Sequence, residues 1–172
     1  PDFRRLLPLV EREALAAGML DLAAAVERFV GWLNTNELPA LRWETATALG
    51  TVVIDTTGRD NAHMVEDVLL LVDSAGDDTY TFGPRSARTP ISVIIDRSGN
   101  DRYHTTPPAT GPAVAVLGYG VLWDEGGNDR YDSETHALGQ AAALFGAALL
   151  VDEAGDDHYR ARSHAQGWAF AG

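Results

Sequence analysis

Two spacings of apolar residues divide the chain. From Pro8 to about Asn34 they recur with helical period: Leu9, Val10, Leu15, Met19, Leu22, Val26, Phe29, Val30 and Leu33. Alanine is abundant there and Pro8 suits a first helical position, while Gly18 offers a place to split the run into two helices. Asn34-Thr35-Asn36 and Pro39 end it. Residues 1–43 are therefore expected to form a helical cap or packing element. Beyond Trp43 the pattern becomes short apolar runs that each end on an aspartate: Val52–Asp55, Leu70–Asp73, Val93–Asp96, Val121–Asp124 and Leu149–Asp152. Runs of this length, rich in β-branched residues and leucine, are buried strands rather than helices.

Each of those aspartates opens the same turn, Asp-x-x-Gly-x-Asp. The glycines are Gly58, Gly76, Gly99, Gly127 and Gly155, and the closing acids are Asp60, Asp78, Asp101, Asp129 and Asp157. In the last four units a tyrosine follows two residues later: Tyr80, Tyr103, Tyr131 and Tyr159. The interval between opening aspartates is 18, 23, 28 and 28 residues along the chain. Residues 118–144 and 146–172 share 12 identities in 27 aligned positions. Periods of this size mark stacked repeats.

The expected fold is mainly β. Residues 44–172 would form a parallel β-helix or β-solenoid of about five coils, behind the N-terminal α-helical segment. Stacked antiparallel β-hairpins, with Asp-x-x-Gly-x-Asp as the hairpin loop, are the alternative. Three apolar positions in a row imply burial on both faces, as in parallel sheets. A 28-residue unit is shorter than the roughly 40–45 residues of a propeller blade. Units would lie about 4.8 Å apart, glycine would supply turn geometry, and the tyrosines would stack with their hydroxyls outward. Gly76, Gly99, Gly127 and Gly155, the four tyrosines, and the repeat-equivalent His136 and His164 are the expected structural ladder.

Stacking would also align Asp73, Asp96, Asp124 and Asp152 in one column, and Asp78, Asp101, Asp129 and Asp157 in another. Unit charges about 5 Å apart repel by about 3 kcal/mol at an effective dielectric near 20. Turn N–H donors, solvent, raised pKa values or bound cations must offset this. Hard carboxylate oxygens favour Ca2+, so these eight aspartates are the candidate metal ligands.

Glu125-Gly126-Gly127-Asn128-Asp129-Arg130-Tyr131 and Glu153-Ala154-Gly155-Asp156-Asp157-His158-Tyr159 carry a resemblance to the bacterial Asp/Gly-rich β-solenoid repeat proteins. The calcium-binding RTX repeats are the best known of these. Their period is nine residues, against 28 here. The resemblance covers about two-thirds of the chain. It implies a longer-coil relative whose Asp turns are structural or hold Ca2+, and it agrees with an extracellular or cell-surface location.

Charge narrows the partners. With 13 basic and 25 acidic residues the formal net charge is −12, which repels a phosphate backbone and excludes nucleic acid as an expected ligand. Cysteine is absent, which removes disulfides and thiolate sites, and no run is apolar enough for a transmembrane segment. The sequence starts at Pro1 without a signal-peptide pattern and stops just before the next expected strand. We therefore expect a processed or excised piece with further repeats or another chain over its C-terminal end. A polysaccharide or cell-surface ligand is the expected partner.

No P-loop, nucleophile elbow or His-Glu-x-x-His motif is present. The pattern points to a non-catalytic scaffold: a structural, surface or adhesive module. Two alternatives stand beside it. One is a carbohydrate-active β-helix enzyme, a polysaccharide lyase or glycoside hydrolase, or its accessory domain. There the breaks in the repeat at Arg85 and Arg88 would mark a site. The other is a subunit that self-assembles by stacking end to end.

Overall fold

The computed structural model describes residues 5, 7–86, 88–105, 110–133 and 138–170. After a 3-10 turn at Leu7–Leu9, helix α1 runs from Arg12 to Thr35. It passes Gly18 unbroken. That glycine is explained by packing: a Cβ there would lie 2.2 Å from the Tyr119 hydroxyl. At the far end Thr35 Oγ1 donates to the Gly31 carbonyl at 3.1 Å and Asn36 Nδ2 to that of Trp32 at 2.7 Å, satisfying terminal acceptors.

Fourteen strands follow in the described residues, in three sheets. The first sheet has the order β1 (Arg42–Thr47), β2 (Gly50–Asp55), β4 (Val68–Asp73), β6 (Ile91–Asp96), β9 (Tyr119–Asp124) and β12 (Ala147–Asp152). The second runs β13 (His158–Ala161), β10 (Arg130–Ser133), β7 (Arg102–Thr105), β5 (Thr79–Phe82) and β3 (Ala62–Val65). The third contains β14 (Ala169–Phe170), β11 (Ala143–Leu144) and β8 (Ala115–Val116). Every pairing is parallel except β1 with β2, so the first sheet is mixed.

This corrects the expectation of a mainly β parallel β-helix or β-solenoid. The protein is α/β, with one 24-residue helix and three separate, mostly parallel sheets of six, five and three strands. The walls are unequal because the units are: the 18- and 23-residue intervals provide two strands each, and the third sheet begins where the interval reaches 28. The antiparallel-hairpin alternative is corrected too. Each Asp-x-x-Gly-x-Asp turn joins strands of two different sheets, as between β4 and β5, and so forms a corner. The expected boundary after residue 43 shifts slightly, because Arg42 and Trp43 already pair with Asp55 and Ile54.

The middle strands of the first sheet, β4, β6 and β9, are buried on both faces, which is why they read as continuous apolar runs. Val72, Val93, Ile95 and Val121 pack against Val26, Val30 and Leu33 of the helix. Their neighbours Leu71, Ile94 and Leu122 point the other way, into a core with Tyr80, Phe82, Tyr103 and Tyr131. Alternation along each strand thus serves two cores at once. Repeat-equivalent residues sit side by side in register: Asp73, Asp96, Asp124 and Asp152 along the first sheet, and Tyr80, Tyr103, Tyr131 and Tyr159 along the second.

The corner glycines are set by close approach. A Cβ on Gly99, Gly127 or Gly155 would stand 1.8, 1.5 or 1.8 Å from the carbonyl oxygen of the glycine one unit earlier. Gly31, on the helix, has nothing within 4 Å of such an atom. Gly127→Ala is therefore expected to destabilise the protein by at least ~2 kcal/mol, whereas Gly31→Ala should stabilise it by up to ~1 kcal/mol. Urea unfolding curves of the two variants check this pair. Equal effects would show that the corner spacing is not limiting.

Candidate functional site

The site grows out of the corners. Where strands β2, β4, β6 and β9 of the first sheet end, the aspartate turns back and accepts a backbone N–H two residues on, the Asx-turn geometry. Asp55, Asp73, Asp96 and Asp124 accept through Oδ1 from Thr57, Ala75, Ser98 and Gly126 at 3.0–3.2 Å. The closing aspartates bind between units instead. Oδ1 of Asp78, Asp101, Asp129 and Asp157 accepts the N–H of Asn61, Asp78, Asp101 and Asp129 respectively, at 2.5–2.8 Å. One residue earlier a second column runs in the opposite sense. There Asp77, Asn100, Asn128 and Asp156 donate their N–H to Oδ1 of Asp60, Asp77, Asn100 and Asn128 at 2.8–3.0 Å.

The tyrosines stack at centroid separations of 4.7, 4.7 and 4.5 Å with nearly parallel rings. Their hydroxyls do not face outward as expected. Tyr80, Tyr103 and Tyr131 are fully buried, and each hydroxyl turns in to the opening aspartates. Tyr80 donates to Asp96; Tyr103 and Tyr131 both donate to Asp124 Oδ2, at 2.7 and 3.2 Å; and Tyr159 donates to Asp152. The reason is that buried carboxylates need donors and a phenol supplies one without adding charge.

Two residues of the first unit complete this row and escape the repeat pattern. His63, paired in register with Tyr80, stacks on it at 4.9 Å and places Nε2 2.8 Å from Asp73 Oδ2. A carboxylate only accepts, so Nε2 carries the hydrogen. Asn61, rather than Asp60, occupies the inner closing column, and Asp60 belongs to the outer one. The signal was a shift of one residue, since the aromatic ring follows Asp60 by three positions instead of two. Arg42 was missed as well; its guanidinium donates to Asp55 at 2.8 Å.

Between the two inner columns carboxylates crowd together. Asp78, Asp96 and Asp101 form one group, Asp101, Asp124 and Asp129 a second, and Asp129, Asp152 and Asp157 a third. Asp55, His63 and Asp73 form a fourth. Within each group one ligand atom per residue lies within 4.8 Å of the others. All members are buried except Asp152 and Asp157, which are half-buried. Oδ2 of Asp78, Asp101 and Asp129 is buried with no hydrogen-bond partner, and so is Oδ1 of Asp152. Such clusters can hold a metal ion. The donor set is all hard oxygen in three of them, and the orphaned oxygens are free to coordinate.

Electrostatics carries the same message. Burial, with neighbouring acids adding to it, pushes Asp78 up to about 6, Asp101 to about 7, Asp129 to about 8 and Asp96 to about 10; turn N–H and tyrosine bonds only partly oppose this. Burial and the nearby Asp152 raise Asp124 against the pull of its two tyrosines. Burial followed by adjacent aspartate charge drives Tyr80 and Tyr103 well above the ordinary phenol range. Asp55 goes the other way: burial raises it, but the Thr57 and Arg42 contacts outweigh that and lower it.

The remaining candidates fall outside this row. His164 is exposed, at a positive φ of 47°, with its ring edge-on to Trp168 at 4.7 Å. His136 lies outside the described residues. Arg85 lines a cavity of about 20 Å3, where burial lowers its pKa against the opposing charge of Asp67, while Arg88 is exposed.

No family model, no curated protein and no solved structure matches the chain. The acidic row therefore stands on its own chemistry.

With cations removed, protons must neutralise the row. A carboxyl whose folded pKa is raised stabilises the fold fully below its unfolded value, and that contribution disappears as pH climbs through the folded value. Cation-free protein is therefore expected to lose thermal stability between pH 5 and pH 8, through the values of Asp78, Asp101 and Asp129. Melting followed by tyrosine near-UV circular dichroism checks this. A Tm that rises or holds steady over that window would contradict it.

Proposed function

We propose that this chain is a non-catalytic repeat scaffold, a structural, surface or adhesive module whose corners bind Ca2+ between successive units. The carrying observation is the row of buried carboxylate oxygens on Asp78, Asp101 and Asp129 that have no hydrogen-bond partner. A buried polar atom left unpaired costs on the order of 1–3 kcal/mol, more when charged. A divalent ion would satisfy these oxygens and cancel the repulsion between neighbouring units. Ca2+ suits them because it takes six to eight oxygen ligands in flexible geometry.

The first unit supports this by contrast. There the chain supplies its own donors: Arg42 on Asp55, His63 on Asp73, and the neutral Asn61 in place of an inner aspartate. In that unit no orphaned carboxylate oxygen occurs among the described residues. Where the built-in partners stop, the unpaired oxygens start.

A scaffold is also favoured over a carbohydrate-active enzyme. Glycoside hydrolysis uses two carboxyl groups about 5–9.5 Å apart on an accessible cleft. The groove at the end of the helix, of about 630 Å3, has Glu37 as its single acidic lining residue. The cavity beside Arg85 holds about one water. We read the acidic exterior as suited to cationic or polysaccharide partners at a cell surface, where Ca2+ is plentiful. No described helix is long and apolar enough to cross a membrane. A second reading, end-to-end stacking, rests on β12, β13 and β14, which close their sheets on one side with their outer edges unpaired among the described residues.

Added Ca2+ is expected to raise the Tm at pH 7.5 by about 5–10 °C at saturation, the shift that roughly 2.7 kcal/mol of binding linkage gives at this size. Excess EDTA should reverse it, and Asp129→Asn should remove part of it. A melt indifferent to both Ca2+ and chelator would reject the metal.

A further inference from the structure

The three all-aspartate groups are not separate sites. Asp101 belongs both to the group with Asp78 and Asp96 and to the group with Asp124 and Asp129. Asp129 in turn joins that second group to Asp152 and Asp157. Both shared residues are almost completely buried, at 2% exposure, and each spends Oδ1 on a neighbouring unit's backbone while Oδ2 has no partner. One carboxylate therefore belongs to two clusters of ligand atoms, one toward each neighbouring unit.

Resting on the Ca2+ reading above, we infer that the row is a single connected array of three divalent-cation positions. In it Asp101 and Asp129 each serve two ions, and the chain's own Arg42, Asn61 and His63 close one end. Charge counting favours this arrangement. Seven aspartates line the three positions, so three divalent ions come within one charge of neutralising them. Three isolated ions with separate ligand sets would need more carboxylates than the row contains. Two cations one strand spacing apart repel strongly, and a shared carboxylate lying between them is what offsets that repulsion.

The array stops at the first unit for a stated reason. The group of Asp55, His63 and Asp73 has its oxygens already engaged by Arg42 Nη1, the His63 ring and the Thr57 and Ala75 amides. Asn61 brings no charge to it. A fourth hard cation would have to displace two built-in partners in a fully buried position.

Ion stoichiometry tests the arrangement, read on the full chain by equilibrium dialysis against Ca2+ with native mass spectrometry as a second count. Parent protein is expected to carry three ions. Asp78→Asn should lower the count to two, because Asp78 serves one position. Asp101→Asn and Asp129→Asn should each lower it to one. Asparagine keeps the Oδ1 acceptor for the neighbouring N–H, and counting is confined to samples whose circular dichroism matches the parent. Asp77→Asn, in the outer column, should keep all three. If Asp101→Asn and Asp129→Asn each lose a single ion, the shared-ligand array is wrong while the Ca2+ reading survives. Four ions on the parent would overturn the closure by Arg42 and His63. No ion on the parent would overturn the Ca2+ reading itself.

Discussion

A carboxylate withdrawn from water needs donors, a proton or a counter-ion, and this protein meets that demand again at each unit. Everything else is arranged around it. The opening aspartates end the strands of the best-buried sheet. Their Oδ1 atoms shape the corner, and their Oδ2 atoms draw in the tyrosine hydroxyls. The tyrosines are therefore both packing and hydrogen-bond supply. Their rings form the middle of the inner core, and their position along the second sheet is fixed by the acids they must reach. Asp78, Asp101 and Asp129 then have one oxygen satisfied by backbone and one left over.

The helix plays a different part. It covers the outer face of the first sheet with Val26, Val30 and Leu33, and it is tied to the corners by polar contacts. Arg97 donates to Asn34 at 2.8 Å and to Glu125 at 3.1 Å, and Asn34 also donates to Glu125. Tyr119 reaches the Leu15 carbonyl at 3.2 Å. Burying both faces of that sheet's middle strands keeps water away from Asp96 and Asp124 at their ends, and this pushes both carboxyls up.

Much of this was written in the order of residues. The runs before Asp73, Asp96, Asp124 and Asp152 announced strands, and equal spacing announced that they lie in register, because parallel stacking places identical residues side by side. Three things were hidden. The third sheet is made of two-residue strands such as Ala115–Val116, too short to show a period. The direction of each tyrosine depends on where burial puts the acids, which no one-dimensional pattern states. The first unit carries one extra residue, which disguised His63 and Asn61 as irregularities although they occupy the same columns as Tyr80 and Asp78. The helical segment was legible, but Gly18 suggested a break where Tyr119 packing demands a small residue.

The opposed corner columns have a mechanical consequence. Inner amides donate toward the C-terminal end of the stack, and outer amides donate toward the N-terminal end. Displacing one unit sideways lengthens bonds in both columns together. Load applied along the array would pass from unit to unit through short side-chain-to-backbone links as well as through the sheets.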